Sequence, residues 1–235
     1  SANTAVGHQT LVSNTTATAN TGLGFRSFYN NTTGGGNTAS GYQTLYTNTT
    51  GAYNVAIGCR ALFANTTASY NVSIGLQSSL SNTTGTQNVV AGSFALQSNT
   101  TGNCNTIIGH SSGYAGTTAS NNVSIGNRSL CNITTGSNNV AVGLCSLFAN
   151  TTAPQNTAVG YLSLKTNTTG CFNTSVGSNS MLDNTTGDNN TAVGLDSLAN
   201  NTTADNNTAV GRESLFSNTT GFRNTAVGSG AFCSN

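Results

Sequence analysis

Apolar and polar residues recur in this chain on a cycle of seventeen. With Asn3 as column 1, repeats start at Asn3, Asn20, Asn37, Asn54, Asn71, Asn88, Asn105, Asn122, Asn139, Asn156, Asn173, Asn190, Asn207 and Asn224, without an insertion or deletion. Columns 2 to 4 alternate, as in Val55-Ala56-Ile57. This predicts a short strand whose successive side chains point to opposite faces. On size alone, columns 2 and 4 (Val, Ile, Thr) are expected to face inward and column 3 (Ala, Ser) outward. Column 5 is Gly in every repeat, from Gly7 to Gly228, where a corner needs unusual backbone freedom. Column 9 is a second apolar position, Leu11, Phe28, Leu45 and Leu62 among others, broken by Ser79 and Gly113. An Asn-Thr-Thr-Gly/Ala segment makes the return.

A strict period means that every repeat meets its neighbours in the same way, which is the signature of a solenoid. Asn, Thr and Gly are poor helix interiors, and Gly is not at every third position as collagen requires. The predicted fold is therefore all-β: one β-solenoid over residues 1–235, fourteen rungs with the last truncated. Stacking places identical residues above one another. Column 1 becomes an asparagine ladder and columns 13 and 14 threonine ladders, with amides bonding from rung to rung. The chain begins at Ser1 and has no atypical repeat at either end, so it reads as a piece of something longer whose exposed strand edges favour end-to-end stacking.

Each rung holds too few apolar side chains to offset its ordering entropy alone, so burial against another surface is expected. Column 10 offers one: Val12, Tyr29, Tyr46, Phe63, Leu80, Tyr114, Phe148, Leu182 and Phe216. Columns 9 and 10 of a strand cannot both point inward. Column 10 is thus the candidate interchain stripe of a lateral homo-oligomer, with a parallel trimer favoured.

Composition narrows the chemistry. Six Lys/Arg against five Asp/Glu make 5% charged residues, against about a quarter in ordinary domains. This excludes a basic nucleic-acid surface, and no apolar run approaches the roughly 18 residues of a membrane span. His8 and His110 share column 6 six rungs apart, too far to share a metal. All five acidic residues fall late, from Asp183 to Glu213, and Arg212 and Arg223 are placed to pair with the last. No catalytic constellation, phosphate loop or zinc motif stands out, so neither catalysis nor a cofactor is expected. Cys59, Cys104, Cys131, Cys145, Cys171 and Cys233 fall where no two meet the roughly 7 Å Cα limit of a disulfide; free or interchain thiols are expected. Asn-Thr-Thr sequons begin at Asn14, Asn31, Asn48, Asn65, Asn82, Asn99, Asn150, Asn167, Asn184, Asn201 and Asn218. They read either as N-glycan acceptors or as an asparagine corner ladder without sugar.

Asn54–Gly58 (N-V-A-I-G), Asn139–Gly143 (N-V-A-V-G) and Asn207–Gly211 (N-T-A-V-G) resemble the strand of the β-roll heads of trimeric autotransporter adhesins. Those repeats are shorter. Over the whole chain the pattern is more similar to the N-T-A-V-G…S-L…N-T-T-G arrays of phage and large-virus tail-fibre-like proteins. The resemblance implies a left-handed coil and a trimeric fibre or adhesin shaft. The expected function is structural: the shaft of an extracellular or virion-surface fibre, its surface adhesive or glycan-coated, its partners other copies of itself and cell-surface glycans, with no nucleic acid and no membrane insertion. The alternative is an ice-binding β-solenoid. A flat threonine array wants Thr-x-Thr, however, and the Thr pair here is contiguous, so its two hydroxyls leave different faces.

Overall fold

The structure is a computed structural model and describes residues 2–233; Ser1, Ser234 and Asn235, the last two closing the truncated repeat, lie outside the described residues. It is all-β, a β-solenoid that winds once every 17 residues, with every strand three residues long and parallel to its neighbours. The chain divides into two compact units, Ser1–Ser120 and Asn121–Asn235. The first holds β1 (Thr4–Val6), β2 (Thr21–Leu23), β3 (Thr38–Ser40), β4 (Val55–Ile57), β5 (Val72–Ile74), β6 (Val89–Ala91) and β7 (Thr106–Ile108). The second holds β8 (Val123–Ile125), β9 (Val140–Val142), β10 (Thr157–Val159), β11 (Thr174–Val176), β12 (Thr191–Val193), β13 (Thr208–Val210) and β14 (Thr225–Val227). Within each unit consecutive strands pair one repeat apart: Val72 lies beside Val89 in the first and Val193 beside Val210 in the second.

The facing of the strand is the reverse of the expectation. Column 3 is buried, as at Ala56, Ser73, Ala141 and Ala192, while Val6, Leu23, Ile57 and Ile74 of column 4 stand exposed. Volume explains it. Column 9 fills the interior from the opposite wall, with Leu45, Leu62, Leu147 and Leu198 fully buried, and leaves most strands room for a methyl or hydroxyl; Val90, buried with Leu96 one rung from the column 9 Ser79, is an exception. Two rungs show the exchange. Phe28 takes column 9 where column 3 is Gly22, at which a Cβ would come within 3.2 Å of the Phe28 ring. Ile107 takes column 3 where column 9 is Gly113, at which a Cβ would meet Ile107 at 3.4 Å. The β-branched residues outside are those that suit a pleated sheet surface.

Columns 7, 9 and 17 are left-handed, as at Arg60 (φ 56°), Leu62 (φ 49°) and Tyr53 (φ 58°). Each costs about 1–2 kcal/mol in an L residue. They turn the chain tightly enough to close a rung in 17 residues. The column 5 glycine has a second reason: a Cβ on Gly58 (φ 127°) would meet the Gly75 carbonyl oxygen at 2.5 Å.

Candidate interaction surfaces

The polar columns are the mortar between rungs. In column 1, the Oδ1 of Asn190 accepts the Asn207 backbone N–H at 2.9 Å and its Nδ2–H at 3.2 Å. In column 12, the Asn201 amide donates to Asn184 Oδ1 at 2.8 Å. Both columns also converge on one carbonyl: the Ala204 oxygen accepts Asn190 Nδ2–H at 2.8 Å and Asn201 Nδ2–H at 3.0 Å. The column 13 hydroxyl of Thr185 donates to the Thr202 carbonyl at 2.9 Å, while the column 14 threonines face solvent. Ile133 takes the place of a column 12 asparagine, so the Asn150 amide has no ladder acceptor on the preceding rung and donates to the Ala153 carbonyl at 3.0 Å.

The two readings of the sequons differ in what they ask of these amides. Asn31, Asn48, Asn65, Asn82, Asn99, Asn150, Asn167, Asn184, Asn201 and Asn218 are buried; Asn14, on the first rung, is half-buried. Their amide nitrogens, the atoms a sugar would join, donate into the turn and the ladder, as Asn65 does to Asn48 Oδ1 at 2.7 Å and to the Ala68 carbonyl at 3.1 Å. An amide engaged in this way favours the corner ladder over the glycan acceptor.

Column 10 is mostly half-buried, with Cys131 and Ala199 inside the core. Its first-unit rings pack on each other: Tyr29 on Tyr46 at 5.1 Å and Tyr46 on Phe63 at 5.2 Å, with planes within 8°. Column 6 repeats this with His8, Phe25 and Tyr42 at 5.5 Å. Between the two stacks runs column 7. Arg26 Nε–H donates to Gln9 Oε1 at 2.6 Å, and its guanidinium lies 5.0 Å from the Phe25 ring and 5.4 Å from that of Tyr29. Arg60 repeats the pattern with Gln43 at 3.0 Å and Phe63 at 5.4 Å. The ring faces are occupied by neighbouring rings, so their edges look outward and a pyranose finds no aromatic platform there.

Asp188 and Asp205 bridge neighbouring rungs, whereas Glu213 pairs within its own rung. Asp188 accepts the Cys171 N–H at 2.6 Å and Asp205 that of Asp188 at 2.7 Å; Glu213 pairs with Arg212 at 2.6 Å. His110 meets Phe94 edge to face at 5.8 Å. Among the described residues no three His, Cys, Asp or Glu side chains gather where they would hold a metal ion, and no helix is long and apolar enough to cross a membrane. All six cysteines are free; Cys59 and Cys104 are exposed, and burial pushes the Cys131 thiol up.

The surface that sequence reasoning missed is the outer face of the strands. Of the 23 large apolar side chains that stand exposed, 19 fall in columns 17, 2, 4 and 6, which are the strand and its two flanks; only Val12 and Tyr114 fall in column 10. The flanks continue the same ladder: Tyr53 N–H donates to the Gly35 carbonyl, Gly58 N–H to Ser40 and Arg60 N–H to Tyr42. No charged residue occurs in columns 2 to 4 of any repeat. No family model matches the chain, and no match was found among curated proteins or solved structures.

Proposed function

We propose that this chain is a structural protein, the shaft of an extracellular or virion-surface fibre, working without catalysis or cofactor and associating with copies of itself. One observation carries the reading: in each unit, a rung receives from one neighbour the same hydrogen bonds that it gives to the other, through columns 1, 12 and 13. Such a coil has no built-in stop, and repeat number sets its extent. Buried column 12 amides that already bond within the ladder support a shaft without N-linked sugar there. An adhesive contact with cell-surface glycans would fall to the Arg26 and Arg60 strip, where polar groups rather than ring faces are on offer.

The test is electron microscopy of the native chain beside versions carrying one, two and four extra 17-residue repeats. A shaft lengthens by about 4.8 Å per repeat at constant width. Particles whose longest dimension does not follow repeat number overturn the reading.

Ice binding is the second reading, and the reversed strand facing favours it. Threonine and valine of columns 2 and 4 leave the same face on five consecutive rungs, from Thr157 and Val159 to Thr225 and Val227. The objection drawn from the contiguous Thr pair does not touch this array. Inhibition of ice recrystallisation by the monomeric chain is its signature.

A further inference from the structure

We infer that copies of this chain associate side by side through the outer face of the strands, the band of columns 17, 2, 4 and 6, and not through column 10. The inference rests on the fibre reading and names the contact that reading requires.

Soluble monomers rarely carry a large contiguous apolar patch, and in each unit most of the exposed large apolar side chains lie in these four columns. Column 10 also stacks its rings, as columns 6 and 17 do, but most of its side chains are half-buried rather than exposed.

Within each unit the band repeats from rung to rung with the same translation. A partner of unrelated shape would touch a few rungs and leave the rest uncovered. A surface that fits all of them must share the rung spacing, and another copy of this chain shares it by construction. Side chains of columns 2 and 4 stand two residues apart along the strand, and each column forms a ladder. Two such faces interdigitate as dry paired sheets do, ladder between ladders.

Columns 2 to 4 carry no charge, so copies meet there without repulsion or buried ions. The flanks supply aromatic rings, Tyr53, Tyr70 and Phe172 on one side and Tyr42 and Tyr161 on the other, all exposed. Aromatic enrichment with depletion of charge marks the centre of a protein interface. It does not suit an ice face, because bulky rings on both borders break a flat plane.

The test compares native mass by light scattering for the full chain and three variants. Ile57→Lys and Val193→Lys place a charge in column 4, where the side chain is already exposed, so the fold is retained. Tyr46→Lys does the same to column 10. The expected result is a parent of at least twice the 23.7 kDa chain mass. The two column 4 variants fall to one chain mass with β-signal and melting temperature unchanged, and Tyr46→Lys stays associated. An assembly that survives the column 4 variants but is lost in Tyr46→Lys overturns the assignment and leaves the fibre reading standing. A parent that is a monomer overturns lateral association itself; if that monomer also inhibits ice recrystallisation, and Val193→Lys abolishes the inhibition, the band belongs to ice. Lengthening with added repeats is scored separately, so failure of the shaft reading is visible on its own.

Discussion

A leucine in column 9 meets two opposed demands. Its side chain fills the rung interior, and its backbone sits at φ near 50°, as at Leu45, Leu147 and Leu198. Leucine is a poor residue for that conformation, yet nothing smaller fills the space. Column 17 has the same conformation without the core demand, since Gln155 (φ 59°) is exposed and its repeat-mates include Asn121, Asn138, Asn189 and Asn206. Asparagine tolerates the left-handed region and a β-branched residue does not. Gln155→Asn is therefore expected to stabilise the chain by about 1 kcal/mol and Gln155→Val to destabilise it by at least as much, on a strain of about 1–2 kcal/mol. Thermal melting followed by circular dichroism should order the three proteins accordingly. Equal melting points would mean that column 17 relaxes freely. Thiols give a second readout at this scale. Burial pushes Cys131 up, so its thiolate appears only at higher pH. A maleimide at neutral pH should label exposed Cys59 and Cys104 well before Cys131, and the lag should shrink as pH rises. Uniform labelling at neutral pH would show that the rung opens around Cys131.

At the scale of one rung, the seventh of the chain joins column 3 and column 9 as a single volume. Ile107→Ala removes a buried side chain and should cost about 2–5 kcal/mol. Gly113→Leu adds one to a filled space and should cost about 1–3 kcal/mol. Made together they restore the commoner Ala and Leu arrangement, and the double variant should be more stable than the sum of the single effects by about 0.5–3 kcal/mol. Strict additivity would mean that the two side chains do not share the space. The same pairs explain what could be drawn from sequence alone. Period, strand position and the asparagine ladder were legible because nothing interrupts the count. Facing was not, because alternation over three residues separates two sets without saying which is inside. Bulk pointed to Val and Ile; the compensations, Gly22 with Phe28 and Ile107 with Gly113, point to Ala and Ser, and they are written in the sequence. The sequons were illegible for another reason. Asn-Thr-Thr has the same letters whether the amide waits for a sugar or bonds to Asn48 Oδ1.

At the scale of the whole chain, stability is expected to depend on register more than on the number of residues. Removing residues 173–189 brings Asn190 to the position of Asn173. Thr157 N–H, which donates to the Asn173 carbonyl at 2.8 Å, then finds the carbonyl of Asn190, and every ladder resumes with one rung fewer. In a nearest-neighbour chain this costs one repeat and one junction. Removing residues 174–189, one residue fewer, slips all that follows by one column. Alternation then turns Val193 and Val210 toward the interior and Ala192 and Ala209 outward, and glycine leaves the positions where a Cβ would strike a carbonyl, as at Gly194. The 17-residue deletion should keep the parent's β-signal per residue and melt within a few degrees of it. The 16-residue deletion should lose protection from protease throughout the segment that follows the cut. If both deletions behave alike, the ladders do not hold the register, and a chain that sets its extent by counting repeats is the wrong description of this molecule.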